Sequence, residues 1–125
     1  MNQGDAFVPL KANDHLHVVV SDPKLNPDRV LLLFVTTYVE GDKESACLFN
    51  ANEHEWIVKK SCVAYNYAKV VKADDLDKLR VAGKLKMFQP MPPHLLKRII
   101  DGSADSEWME ESHADILIEQ GLLDL

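Results

Sequence analysis

The sequence predicts a mainly β domain of the α+β class: a small antiparallel β-barrel or sandwich followed by a helical carboxy-terminal extension. Short β-branched runs recur at spacings of about 8–14 residues, with no long helix between them. Val30 to Val35 is uninterruptedly apolar, as in a strand buried on both faces. Beyond the prolines at 90, 92 and 93, apolar residues fall at helical spacing. With 125 residues the chain is one domain, 1–125, divided into a β core over 1–90 and a helical extension over 91–125.

His15 to Ser21 is a β-branched run closed by Asp22-Pro23, hence a strand ending in a turn. Pro23 and Pro27 cannot donate to a ladder, so Asp22 to Asp28 is an exposed loop. Val30 to Thr37 is the central strand. Glu40-Gly41-Asp42-Lys43 reads as a polar turn and Ser45 to Phe49 as a third strand. After a turn-like stretch at Asn50 to Glu55, Trp56 to Val58 and Ser61 to Val71 read as extended, with Val63, Tyr65 and Tyr67 on one face. Asp74 opens a short helix through Arg80, with Leu76 and Leu79 inward and Gly83 just past its end. Lys84 to Gln89 returns as a strand. The proline pair at 92 and 93 starts a helix over His94 to Asp101, with Leu95, Leu96, Ile99 and Ile100 inward and Gly102 ending it. Ser106 or Ser112 starts a last helix around Ile116, Leu117, Leu122 and Leu123.

Composition removes several function classes. The longest apolar run is far below the ~18 residues of a spanning helix, and the amino terminus lacks a basic-then-apolar signal pattern, so a cytoplasmic protein is expected. Cys47 and Cys62 cannot form a disulfide framework and read as reduced, small and half-buried. Together with His54 they have no metal-ligand spacing, and no metal or other cofactor is expected. Nucleotide-binding glycine motifs and the HExxH zinc motif are absent.

The net charge of −6 hides an asymmetry. Residues 61–100 carry 8 basic and 3 acidic groups, whereas residues 101–125 carry 8 acidic groups and no basic one. Phosphate-backbone affinity scales with the phosphates neutralised by Lys and Arg, so only the middle third suits nucleic acid. The acidic segment 101–125 could fold over the basic 69–98 region and mask it.

His15 and His17 share one strand face and can bind phosphate or divide acid–base work near neutral pH. The plainer reading is a strand-start pair, partly exposed and packed on neighbouring side chains. Thr36 and Thr37 offer hydroxyls to a ligand, although Thr is also a favoured strand residue. Lys59, Lys60, Ser61 and Tyr65 combine anion stabilisation with proton transfer, or else form a solvated edge guarded by lysine.

Taken in order, Gly4-Asp5 opening a strand, His15 to Ser21 closed by serine, Val30 to Thr37 closed by two hydroxyl residues, and Lys60-Ser61-Cys62-Val63 opening a later strand resemble the PemK/MazF-type toxins over about residues 4–71. The resemblance implies an SH3-like small barrel that forms a homodimer, cleaves single-stranded RNA without metal, and is neutralised by an antitoxin lying across the RNA groove. On this reading Thr36 and Ser61 are expected to be catalytic and Thr37 to bind RNA, with His17 and Tyr65 (catalytic) and His15, Lys59 and Lys60 (RNA-binding) standing in for family groups that this chain lacks. Ser21, Thr36-Thr37 and Ser61-x-Val63 match the family pattern. The catalytic arginine expected after Ser-x-Val is replaced by Ala64, followed by Tyr65 and Asn66, and the basic residues before the first apolar strand by Asp14 and His15. The alternative is therefore a catalytically inactive interaction module of the same fold, binding a protein or nucleic-acid partner.

Overall fold

A computed structural model describes residues 1–11, 15–41 and 44–124. The expected roles of Asp14, and of Asp42 and Lys43 in the polar turn, lie outside the described residues. The chain runs β1 (Ala6–Pro9), β2 (Leu16–Val19), β3 (Val30–Thr37), β4 (Leu48–Phe49), β5 (Ser61–Val71), α1 (Ala73–Val81), β6 (Leu85–Phe88), α2 (Pro93–Asp105) and α3 (Glu111–Glu119). The six strands form one antiparallel sheet in the order β4-β5-β3-β2-β1-β6.

No ladder joins β4 to β6, so strand pairing does not close the sheet into the expected barrel. Side chains of the 50–57 loop reach across instead. His54 Nε2 donates to the Gln89 carbonyl at 2.6 Å, and the Gln89 amide donates to the Glu55 carboxylate. His54 Nδ1 accepts from the Trp56 amide, which fixes the ring and its tautomer. These bonds shape Trp56 to Val58 as a turn rather than the expected extended segment, with Ile57 buried. Of the strand expected over Ser45 to Phe49, only Leu48–Phe49 pairs.

Strand alternation builds two cores. Leu31, Leu33 and Val35 of β3 enter a large cluster with Leu16, Val18, Val63 and Tyr65, closed by Leu95 and Ile99 of α2 and Ile116 and Leu117 of α3. Val30 and Leu32 face the other way, into a smaller cluster with Phe7, Val19 and the α1 residues Ala73 and Leu76. That double burial explains the unbroken apolar run of β3. Ser21 closes β2 from inside: its buried Oγ accepts the Leu31 amide at 2.8 Å. Gly4 is needed for its φ of +91°, which lets its amide reach Val19 O and its carbonyl take the Met91 amide.

β5 carries a bulge. Phe34 pairs with Ala64, but Leu32 pairs with Lys69, so β5 holds three extra residues there. An odd insertion exchanges the two faces. Val63 and Tyr65 enter the large core before it and Ala68 and Val70 after it, while Tyr67, expected beside them, stands 63% exposed.

The helices follow the punctuation with four corrections. Pro93 begins α2 as expected, but Gly102 lies inside that helix rather than ending it, and glycine is required there because a Cβ would strike the Tyr65 hydroxyl. Ser106 caps the carboxy end of α2, and α3 begins at Glu111, with Ser112 in its first turn. Lys72, not Asp74, precedes α1, and Leu79 is 39% exposed rather than inward. Among the described residues, no helix is long and apolar enough to cross a membrane.

Candidate functional site

The face of β3 opposite the large core carries Thr36, Phe34 and Leu32, and Tyr38 continues the same alternation. On β5 the matching face carries Cys62 and Ala64 before the bulge and Lys69 and Val71 after it. β2 adds His17, which pairs directly with Phe34, and the same register sets His15 beside Thr36. Four aromatic rings thus cross three strands. Phe7 and His17 stack with centroids 5.3 Å apart, His17 and Phe34 lie 4.1 Å apart, and His15 stacks on Phe34 at 6.2 Å.

Two cavities flank this row. One, of about 320 Å³, is lined by Thr36, Cys62, Ala64, Asn66 and Tyr67, with Glu44 and Trp108 on its rim. Trp108 is 43% exposed. Its amide donates to Ser106 Oγ, which in turn donates to the Glu44 carboxylate at 2.9 Å. Burial raises the Glu44 pKa, against the hydrogen bond from Ser106. The other cavity, of about 480 Å³, opens between α1 and the sheet and is lined partly by Phe7, His17 and Lys69. Beyond the first cavity, Lys60 Nζ sits 5.0 Å from the centre of the Tyr38 ring, a cation–π pair across the β3–β5 end.

His17 is the most perturbed group on this face. Burial pushes its pKa down to about 4, and the positive charges of Lys69 and His15 act in the same direction, against the bond to the His15 carbonyl. A carbonyl only accepts, so His17 Nδ1, 3.1 Å from His15 O, carries the proton. The neutral ring therefore has its lone pair at Nε2.

The sheet divides the residues expected to act together. His15, His17, Thr36 and Lys60 share the strip. Ser61 and Tyr65 do not, because they fall on the odd positions of β5 that point into the large core. Ser61 is buried, and its hydroxyl donates to the Lys59 carbonyl at 2.8 Å. Tyr65 is fully buried, donates to the Ile99 carbonyl at 2.7 Å, and burial holds its phenol pKa well above the usual range. Both hydroxyls are therefore held by backbone carbonyls, away from the strip. Thr37 and Lys59 are exposed but one residue out of phase with the strip.

Tyr67 and Trp108 are not among the site residues expected from the sequence. No signal in the sequence reveals the bulge that turns Tyr67 outward, whereas Trp108, an aromatic in the polar 106–112 link, is a visible cue. Among the described residues, no cluster of three or more His, Cys, Asp or Glu side chains is placed to hold a metal ion.

Neither protein-family models, nor curated proteins, nor solved structures yield a match to this chain.

The helices of the acidic tail do not lie over Lys69, as its expected masking of the basic middle segment would need. α2 and α3 pack on the large core, whereas Lys69 lies on the opposite face with α1. Among the described residues, Lys97 pairs with Asp101 one helical turn away, and Arg98 is committed to Glu53 and the Leu48 carbonyl.

Proposed function

We propose that this chain is a divergent PemK/MazF-like protein of SH3-like barrel type that holds single-stranded RNA along the β3–β5 strip as a binding module, without cutting it. The observation that carries the reading is the alternation of aromatic and basic groups on one face: Lys60 on Tyr38, then Tyr67 and Trp108, then Phe34 and His15, then Lys69. Unpaired bases stack on aromatic faces whatever their sequence, and lysines along the track neutralise phosphates. Cleavage is disfavoured because Ala64 stands where the family's arginine is expected and because Ser61 and Tyr65 point away from the strip. A homodimer and an antitoxin covering the strip are the partners the resemblance implies.

A second reading is favoured by one observation. His17 is held neutral with Nε2 unprotonated, the form a general base needs to accept a 2′-hydroxyl proton. Mixed-sequence single-stranded RNA incubated with the protein in EDTA separates the two. Saturable anisotropy with intact RNA, weakened by about 1–3 kcal/mol in Tyr67→Ala, is the expected result. Breakage that leaves 2′,3′-cyclic phosphate ends and disappears in His17→Ala establishes the nuclease instead. No binding by folded protein removes both.

A further inference from the structure

The cavity between α1 and the sheet differs in character from the rest of the strip. Its floor is Phe7, Leu32 and Val71, and its helix wall is Leu76 and Leu79. At 480 Å³ it has the size of a small-molecule site. Lys11, Lys69 and Lys84 stand on it, all exposed, and no acidic residue is among its described lining, although the chain as a whole carries −6. Two of the three acids of α1 are turned elsewhere: Asp77 pairs with the amino-terminal ammonium, and Asp74 and Asp77 line a separate hollow with Lys78. Leu10 at the rim is 57% exposed, leaving apolar surface in water beside the lysines.

We propose that this groove binds a medium-chain carboxylate, its acyl chain lying on Phe7, Leu32 and Val71 under α1 and its carboxylate held by the lysines. The charge arrangement selects the occupant. An apolar trough alone accepts any greasy molecule, whereas three lysines with no acid among the described lining favour an anionic head and repel a cationic one. Lys can meet a carboxylate as a mobile point charge without fixed bidentate geometry, which suits side chains on three different elements. The groove shares Lys69 and His17 with the RNA strip but requires neither Tyr67, Trp108 nor Tyr38, so this proposal goes beyond the RNA reading and does not depend on it.

Titration calorimetry with decanoate, decanol and decyltrimethylammonium, below their micelle-forming concentrations, tests the inference on the full chain. Decanoate is expected to bind one per chain, at least tenfold more tightly than decanol, with no heat from the cation. Affinity from hexanoate to decanoate is expected to rise about two- to fourfold per methylene, the gain for burying one CH₂. Lys11→Met and Lys84→Met, at exposed positions, are expected to weaken decanoate and leave decanol unchanged. Leu79→Glu sets a carboxylate on the wall, and is expected to abolish decanoate binding while the protein still binds RNA. Equal affinity for decanoate and decanol, several molecules per chain, or no saturation by folded protein overturns the proposal. Loss of RNA binding alone, with decanoate still bound, overturns only the RNA reading.

Discussion

His17 ties the strip to the stability of the fold. Its pKa is near 6.5 in the unfolded chain and about 4 in the folded protein, so between those values the unfolded state binds more protons. Stability is therefore full above pH 6.5 and falls as pH drops towards 4. The linkage amounts to at most about 3 kcal/mol, and water reaching the ring through the groove screens part of it. Urea midpoints at pH 7.5 and 4.5 should separate in the wild type and converge in His17→Phe, which keeps a ring between Phe7 and Phe34 but has no proton to gain. A variant with the same pH dependence as the wild type assigns the acid sensitivity to other groups. Tyr65 gives a complementary prediction. Tyr65→Phe removes the bond to Ile99 O and should cost about 1 kcal/mol of stability while leaving RNA binding unchanged. Gly102→Ala drives a methyl into the same hydroxyl and should cost about 1–3 kcal/mol. The double variant should cost less than the sum, because a phenylalanine ring in place of Tyr65 has no hydroxyl for the new methyl to meet. Strict additivity in denaturation would show that the two positions do not share a contact.

At the scale of elements, what was legible in the sequence is what short-range chemistry determines. β2 and β3 announce themselves by β-branched runs ended by Asp22-Pro23 and by hydroxyl residues, β6 by its position between Gly83 and Pro90, and α2 by Pro93. The same alternation that identifies β5 misplaces Tyr67, because a three-residue bulge depends on how β3 and β5 meet and leaves no mark on either strand alone. Gly102 looks like a helix stop, but glycine stands there because Tyr65, distant in sequence, leaves no room for a Cβ. The expected site is divided for a related reason: Ser61 matches a pattern in order along the chain and Tyr65 follows close behind it, but strand period sends both to the opposite face from His15, His17 and Thr36. The seam between β4 and β6 is likewise invisible in the sequence, since it rests on His54 and Glu55 meeting Gln89. His54→Ala removes both ring bonds from a buried site and should cost about 1–3 kcal/mol. Hydrogen exchange should quicken at the Trp56 amide and along β6 while the β2–β3–β5 centre stays protected. Uniform acceleration across all six strands would mean that the seam and the centre open as one unit.

For the whole molecule, the two cores also separate its charges. The acidic helix α3 and the charge-balanced α2 cover the large core on one side, while Lys60, Lys69 and the α1 groove occupy the other. Deleting α3 is a poor probe of charge because it strips Ile116 and Leu117 out of the core. Neutralising its exposed acids keeps the packing. At about 0.1 M salt the Debye length is ~10 Å, comparable to the thickness of one packed layer, so charges behind the sheet are largely screened from an RNA in front of it. The triple variant Glu111→Gln, Asp115→Asn, Glu119→Gln should therefore bind single-stranded RNA within about twofold of the wild type at that salt. Lys60→Gln with Lys69→Gln should weaken binding several-fold and make the slope of log affinity against log salt shallower by about 1.4, the share of two phosphates on a single strand. A tenfold gain from the triple variant would instead place the acidic helix α3 beside the RNA, and would return the tail to the masking role that its position behind the sheet denies it.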